Sequence, residues 1–494
     1  MAKYTRGNYD GPNGIHGVPL WRIGGFALNN AATNLYFMLM AQVGYYLNGF
    51  VGAGVVLAGS FSMIMRVWDG VTDPFIGMLL DKTNGKFGKN RPFMLIGNLI
   101  LFATSFILFN VTHLLPEGVR LPFFFVMCAF YYIGYTFQCV VTKSAQTCMT
   151  NDPKQRPLFS IFDGLLVSFV VAGVQILASS YLVPKYGKMA DLGLFHELWV
   201  IVAVLSLAFT LIAMFCIAPK DNSKYFGTGK AVRVGFRDYV DVLTHNRAIQ
   251  MLVLSASTDK LGGQARTSTA NIILYGIVAG NFALSGIVNG FTTAFNLIFM
   301  LVGAGIIATR LGQRKAMLVG SVGGLIGCAA MILLWTFGDP TSISLPGDGR
   351  FVSFNFISIA LLVLTVVGTG FANLASVIVV PMTADCADYE TYRSGKYVPG
   401  MIGTLFSFVD KVVSSLGPMV ASLALFAIGF SEKLPDVDTP YSPQLKVVGL
   451  FLCYGMIMIG LLLNLIAMKF YPLTKEKMEE IQGEIARIKA EAAV

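Results

Sequence analysis

A run of about 20 apolar residues is long enough to cross a bilayer as a helix, and this chain strings such runs together almost without interruption. They fall near 19–47, 51–80, 93–114, 121–150, 158–182 and 195–218 and, after a charged connector, near 247–279, 283–308, 316–337, 352–384, 397–430 and 445–471. Twelve runs grouped as six and six predict an all-α membrane protein of two pseudo-symmetric six-helix bundles. The composition agrees, with 55% hydrophobic and 13% charged residues, far from a soluble globular chain. The first run is too long for the apolar core of a cleavable signal and has no small-residue cleavage site after it, so it is read as the first helix.

The net charge of +9 follows the membrane and does not suggest nucleic acid. With both termini cytoplasmic, the inner loops hold 24 Lys and Arg residues and the outer loops 6, an excess that sets orientation by the positive-inside rule. The expected organisation is an N-terminal bundle over 1–218, a basic linker over 219–246, a C-terminal bundle over 247–471 and an amphipathic tail over 472–494. In the tail, Ile481, Ile485 and Ile488 recur at helical spacing among charges, as in a solvated or surface-resting end.

Charge inside a span is costly, about 3 kcal/mol at the centre on insertion scales, so charged positions there select for function. Residues 65–92, MRVWDGVTDPFIGMLLDKTNGKFGKNRP, carry Arg66, Asp69 and Asp73 at i, i+3 and i+7, on one helix face. A structural ion-pair cluster and a cation or proton site both fit. One arginine cannot neutralise two carboxylates, which favours the ion site. The loop at the end of this span, Asp81-Lys82 followed by Arg91, has a counterpart after the eighth span, Arg310 with Arg314, but Leu297 and Leu301 stand where Asp69 and Asp73 would repeat. The scaffold repeats and the carboxylates do not, which assigns coupling chemistry to the first half.

Other polar residues lie within spans. Asn30 and Asn34, four apart in a Gly/Ala-rich stretch, suit either helix contact or hydroxyl binding. Thr136, Cys139 and Lys143 share a face of the fourth span, and Asp163 enters the fifth, where it could pair with Lys143. Asp259, Lys260 and Arg266 in the seventh span have no role assigned by sequence. Ser407 and Lys411 share a face of the eleventh, and Lys411 is a natural second cation for the Asp69/Asp73 site. Asp385 and Asp388, in ADCADYETY, are expected to form a gate ion-pair network with residues 309–315.

The segment VWDGVTDPFIGMLLDKTNGKFGKNRP resembles the signature of the glycoside-pentoside-hexuronide:cation symporters, a branch of the major facilitator superfamily that includes the melibiose permease. The resemblance extends through TNDPKQRP after the fourth span, ADCADYETYRSGKY before the eleventh and VDKVVSSLG within it. It implies the major facilitator fold and alternating access about a midplane site. It also implies cation coupling through Asp69, Asp73, Thr136, Ser407 and Lys411, with Na⁺ at Asp69 and Asp73 or H⁺ as the coupling ion. Substrate binding falls to Asn30, Asn34, Arg66, Cys139, Lys143 and Asp163, and gating to Asp81, Lys82, Arg91, Arg310, Arg314, Asp385 and Asp388.

Where the melibiose permease has sugar-gripping acids on its first and fourth spans, this chain has Asn34 and Cys139. A fifth-span arginine becomes Asp163 and a fourth-span tryptophan Lys143. A missing carboxylate takes a hard oxygen ligand from Na⁺ more than from H⁺, so H⁺ is favoured. The expected function is import of a glycoside, pentoside or related oligosaccharide. A hexuronide, received by Lys143, and a lysolipid are the alternatives. The chain is expected to be a monomer in a bacterial cytoplasmic membrane, needing no cofactor beyond the coupling ion. No catalytic constellation or ATP-binding motif argues for an enzyme or a single-chain pump.

Overall fold

The computed structural model describes residues 9–10, 16–83, 85, 87–150, 155–222, 225, 236–302, 312–394, 399–474, 476–481 and 483–484. The chain divides into two compact units, Met1–Gly229 with Phe430–Leu434, and Lys230–Gly429 with Pro435–Val494. Among the described residues each is helical apart from turns and loops and, in the first, an antiparallel ribbon of two-residue strands, β1 (Tyr9–Asp10) with β2 (His16–Gly17).

The first unit contains α1 (Leu20–Ala41), α2 (Val55–Lys82), α3 (Arg91–Phe106), α4 (Glu117–Met149), α5 (Arg156–Ile176) and α6 (Leu192–Ile217). The second contains α7 (Phe236–His245), α8 (Arg247–Ala265), α9 (Ala283–Val302), α10 (Gln313–Phe337), α11 (Phe356–Ser394), α12 (Pro399–Ser414), α13 (Gly417–Ala427), α14 (Pro443–Leu450) and α15 (Met456–Phe470).

Among the described residues, eight helical stretches are long and apolar enough to span a bilayer: 91–114, 117–146, 158–186, 192–217, 313–337, 356–376, 405–427 and 443–470. The other four runs expected to span lie on α1, α2, α8 and α9, the helices that carry many of the polar intramembrane residues. Large apolar side chains such as Phe169, Phe215, Ile326 and Phe337 are exposed. A lipid-facing surface has that pattern, and a soluble protein avoids it.

Small residues set the closest helix crossings. A Cβ on Gly97 of α3 would stand 3.1 Å from the carbonyl oxygen of Gly134 on α4, and one on Gly134 would stand 3.0 Å from that of Gly97. In the second unit, a Cβ on Gly327 of α10 would come within 2.4 Å of the Gly368 Cα on α11. These are the third and fourth long helices of each expected bundle, so the internal repeat extends from the loops to the packing.

Polar side chains also join helices. In the first unit the Asn29 amide donates to Thr142 Oγ1 at 2.9 Å, and that of Asn98 to Ser206 Oγ at 2.8 Å. In the second, Ser255 Oγ donates to Asn464 Oδ1 at 2.6 Å, and the Asn464 amide to Ser321 Oγ at 2.8 Å.

Residues 219–246 are more than a connector. Asp221, 1% exposed, accepts from the backbone N–H groups of Lys89, Asn90 and Arg91 at 3.0–3.1 Å and from the Asn90 amide at 2.9 Å. It supplies the side-chain cap that α3 lacks at its own N-terminus. Further on, Asn246 caps α8 by accepting from Ile249 N at 3.1 Å and donates to Glu390 Oε2 at 2.9 Å. The tail also departs from expectation. Ile481 is fully buried in the core of the second unit with Met468, Tyr471 and Leu473, because its apolar face finds a partner there. Ile485 and Ile488 lie outside the described residues.

Candidate functional site

The first unit holds a charged cluster built from three helices. On α2, the Arg66 guanidinium donates to Asp69 Oδ2 at 3.2 Å, one turn along the same face. From α4, Thr136 Oγ1 donates to Asp69 Oδ1 at 2.9 Å. Asp69 and Thr136 are both fully buried, so each carboxylate oxygen meets a donor where water is excluded, as a buried charge requires. Asp73, half-buried, follows one turn later on α2.

Aromatic rings surround the cation. The Arg66 guanidinium carbon lies 5.6 Å from the Phe37 ring on α1 and 5.9 and 5.8 Å from Tyr132 and Tyr135 on α4, within cation–π range. Phe37 shares a stripe of α1 with Asn30 and Asn34, and Thr136 shares one of α4 with Tyr132 and Cys139. The Trp68 indole N–H donates to Ala129 O at 3.0 Å and holds α2 against α4.

The asparagines divide differently from expectation. Asn34 Nδ2 donates to Asn30 O at 2.8 Å and to Asn30 Oδ1 at 3.2 Å, so this pair bonds along its own helix. Their neighbour Asn29 makes the contact with α4. An asparagine four residues from a helical neighbour can satisfy itself locally, whereas Asn29 faces α4 directly. Asp163 on α5 has a buried Oδ1 with no hydrogen-bond partner among the described residues. The side chains of Asp81, Lys82 and Lys143 lie outside the described residues, as does Arg310.

The expected gate residues have these partners. Arg91 Nε lies 3.4 Å from Asp221 Oδ2. Arg314 donates to the carbonyls of Met468 and Lys469 at 2.8 and 3.2 Å, closing the C-terminal end of α15. In the acidic stretch, Arg393 bridges Glu390 at 2.8 Å and Asp241 at 3.1 Å, two acids that sequence reasoning did not single out. Asp385 lies beyond the apolar part of α11. Burial pushes its carboxyl up to about 6, and Asp388 nearby adds to the shift.

The second unit contains a polar cavity of about 330 Å³ that sequence reasoning missed. Asn289, Thr293 and Asn296 line it from α9, and Thr369, Asn373 and Ser376 from α11, both sets at i, i+4, i+7 spacing. That regular spacing was the available signal. Lys260 and Arg266 also line it. Lys260 Nζ is bonded to Asp410 Oδ2 at 2.5 Å, which makes that pair neutral. Ser407 and Lys411 are partly buried on α12 of the same unit.

A family model described as "MFS/sugar transport protein" matches residues 23–475. A glucuronide carrier protein homolog of Escherichia coli (strain K12) is 24% identical over 474 residues, covering 94% of this chain and 95% of its own. An isoprimeverose transporter of Lactiplantibacillus pentosus is 22% identical over 418 residues, covering 82% and 80%. Among solved structures, the nucleoside transporter NupG superposes with a TM-score of 0.60 at 13% identity, covering 92% of this chain and 99% of that one. At that identity the likeness speaks for the fold.

Proposed function

This chain belongs to the MFS/sugar transport family, in its glycoside-pentoside-hexuronide:cation symporter branch, and from that premise we propose that it couples sugar entry to H⁺ through the carboxylates of α2. The observation that carries the reading is Asp69, fully buried on α2 and held between Arg66 and Thr136. A buried carboxylate so placed can exchange its guanidinium partner for a proton, and uptake of that proton frees Arg66 for other bonds. Na⁺ is a poorer fit, because a second cation at Asp69 would sit against the guanidinium already bonded to it. Asp73 extends the site by one turn along α2. The substrate is a sugar or glycoside, in keeping with the printed names of the relatives, which are a glucuronide carrier homolog and an isoprimeverose transporter.

The test is uptake into proteoliposomes under an imposed pH gradient, with Na⁺ present or absent. Accumulation is expected to follow the pH gradient without Na⁺. Accumulation that requires Na⁺ at constant pH would overturn the choice of ion. Asp69→Asn and Asp73→Asn are each expected to abolish accumulation while leaving sugar binding, and full accumulation in either variant removes the coupling role.

A further inference from the structure

We propose that the cavity of the second unit receives the anionic group of a polyhydroxylated monoanion, a sugar carrying a carboxylate or a sulfonate, on Arg266. The proposal rests on the symport reading and adds the sign of the substrate's charge to it.

The reasoning begins with charge. Two cations line the cavity. Lys260 is neutralised by Asp410. Arg266 forms no ion pair with a carboxylate among the described residues. The ionisable groups around it are the phenols of Tyr454 and Tyr275 and the thiols of Cys453 and Cys328, and its guanidinium carbon lies 6.0 Å from the Tyr454 ring. A guanidinium presents a planar fork of donors that matches the two oxygens of a carboxylate or two of a sulfonate. Phenol and thiol neighbours leave its charge uncompensated, and a neutral sugar, whose hydroxyls can accept its hydrogen bonds, would leave it so too.

Backbone geometry places the fork. Arg266 opens a π-helical turn, Arg266–Ala270, directly after α8, and a second follows at Ile272–Val278. Each wide turn inserts an extra residue and re-aims the side chains around it, a device frequent at functional sites. Room is available as well, since a Cβ on Gly263, another lining residue, would meet nothing within 4 Å. The volume lies at the lower end of small-molecule pockets, roughly 300–1,000 Å³. The amide and hydroxyl stripes of α9 and α11 supply donors and acceptors of the kind sugar hydroxyls need.

Calorimetric binding of glucuronate, 6-deoxy-6-sulfoglucose and glucose to the full-length protein in nanodiscs tests the proposal. At least one of the two acids should bind about 10-fold tighter than glucose, the scale of a buried charge-assisted pair, and their ratio distinguishes carboxylate from sulfonate. Arg266→Gln should erase that preference, and Arg266→Lys should keep part of it. Gly263→Val, which fills the cavity, should weaken all three. Glucose binding as tightly as both acids to the unmodified protein overturns the anion site, whatever the variants do. So does a preference that survives Arg266→Gln, or acid binding indifferent to Gly263→Val. If neutral glycosides are still accumulated, the symport reading stands without it. If no sugar, neutral or acidic, is bound or carried, both readings fall.

Discussion

Asp69 has each carboxylate oxygen engaged by a different helix position, so losing one partner is worse than losing the pair. Arg66→Ala leaves a buried carboxylate without its guanidinium partner and should destabilise the protein by about 3–5 kcal/mol. The double variant Arg66→Ala/Asp69→Ala should recover part of that loss, read as a higher melting temperature than the Arg66 single variant shows. Asp385 behaves in the opposite sense. Its carboxyl is raised to about 6 from an ordinary value near 3.9, so its contribution is most favourable below about 4 and is lost as pH rises through 6. Asp385→Asn should therefore raise the melting temperature at pH 7.5, by about 1 kcal/mol in stability after allowing for solvent, and flatten the profile between pH 4 and 6. Arg66, Asp69 and Asp73 could be read from sequence because charge in an apolar helix has few uses. Asn289, Asn296 and Asn373 could not, because an uncharged amide in a membrane helix costs little and serves packing as readily as binding.

Helix pairs depend on what their glycines leave out. Gly327→Val would drive a side chain into the Gly368 backbone, and Gly97→Val into the Gly134 carbonyl. Each should cost about 1–3 kcal/mol or more and lower the monodisperse yield. Gly173→Ala on α5, where an added Cβ meets nothing within 4 Å, should be silent. The same elements show how far sequence carries. Positions of the apolar helices follow from hydropathy alone, and the loop repeat after the second and eighth spans was visible as matching charges. The cap on α3 was not, because its acceptor Asp221 lies 130–132 residues from its donors, and no local pattern marks an acid that bonds at such a separation. Gln138, whose amide donates to Met94 O at 2.7 Å between α4 and α3, was missed because glutamine near a dense polar run draws no notice.

Across the whole molecule, the chain divides into two compact units, and Asp221 and Asn246 of the linker and Ile481 of the tail pack into them. Truncation after Leu473 removes Ile481 from the second unit's core and should lower the melting temperature of the full chain. Asp221 also constrains the order in which the protein is made. Its donors, residues 89–91, emerge before three of the helices in the first unit, and the carboxylate that holds them is synthesised only after α6. Throughout that interval the backbone N–H groups of residues 89–91 lack this acceptor. Nascent chains arrested before residue 221 should thus be cut by trypsin at Lys89, and chains arrested well beyond Gly229 should resist. Membrane insertion and final locking of the first unit become separate events in time, divided by the synthesis of one aspartate.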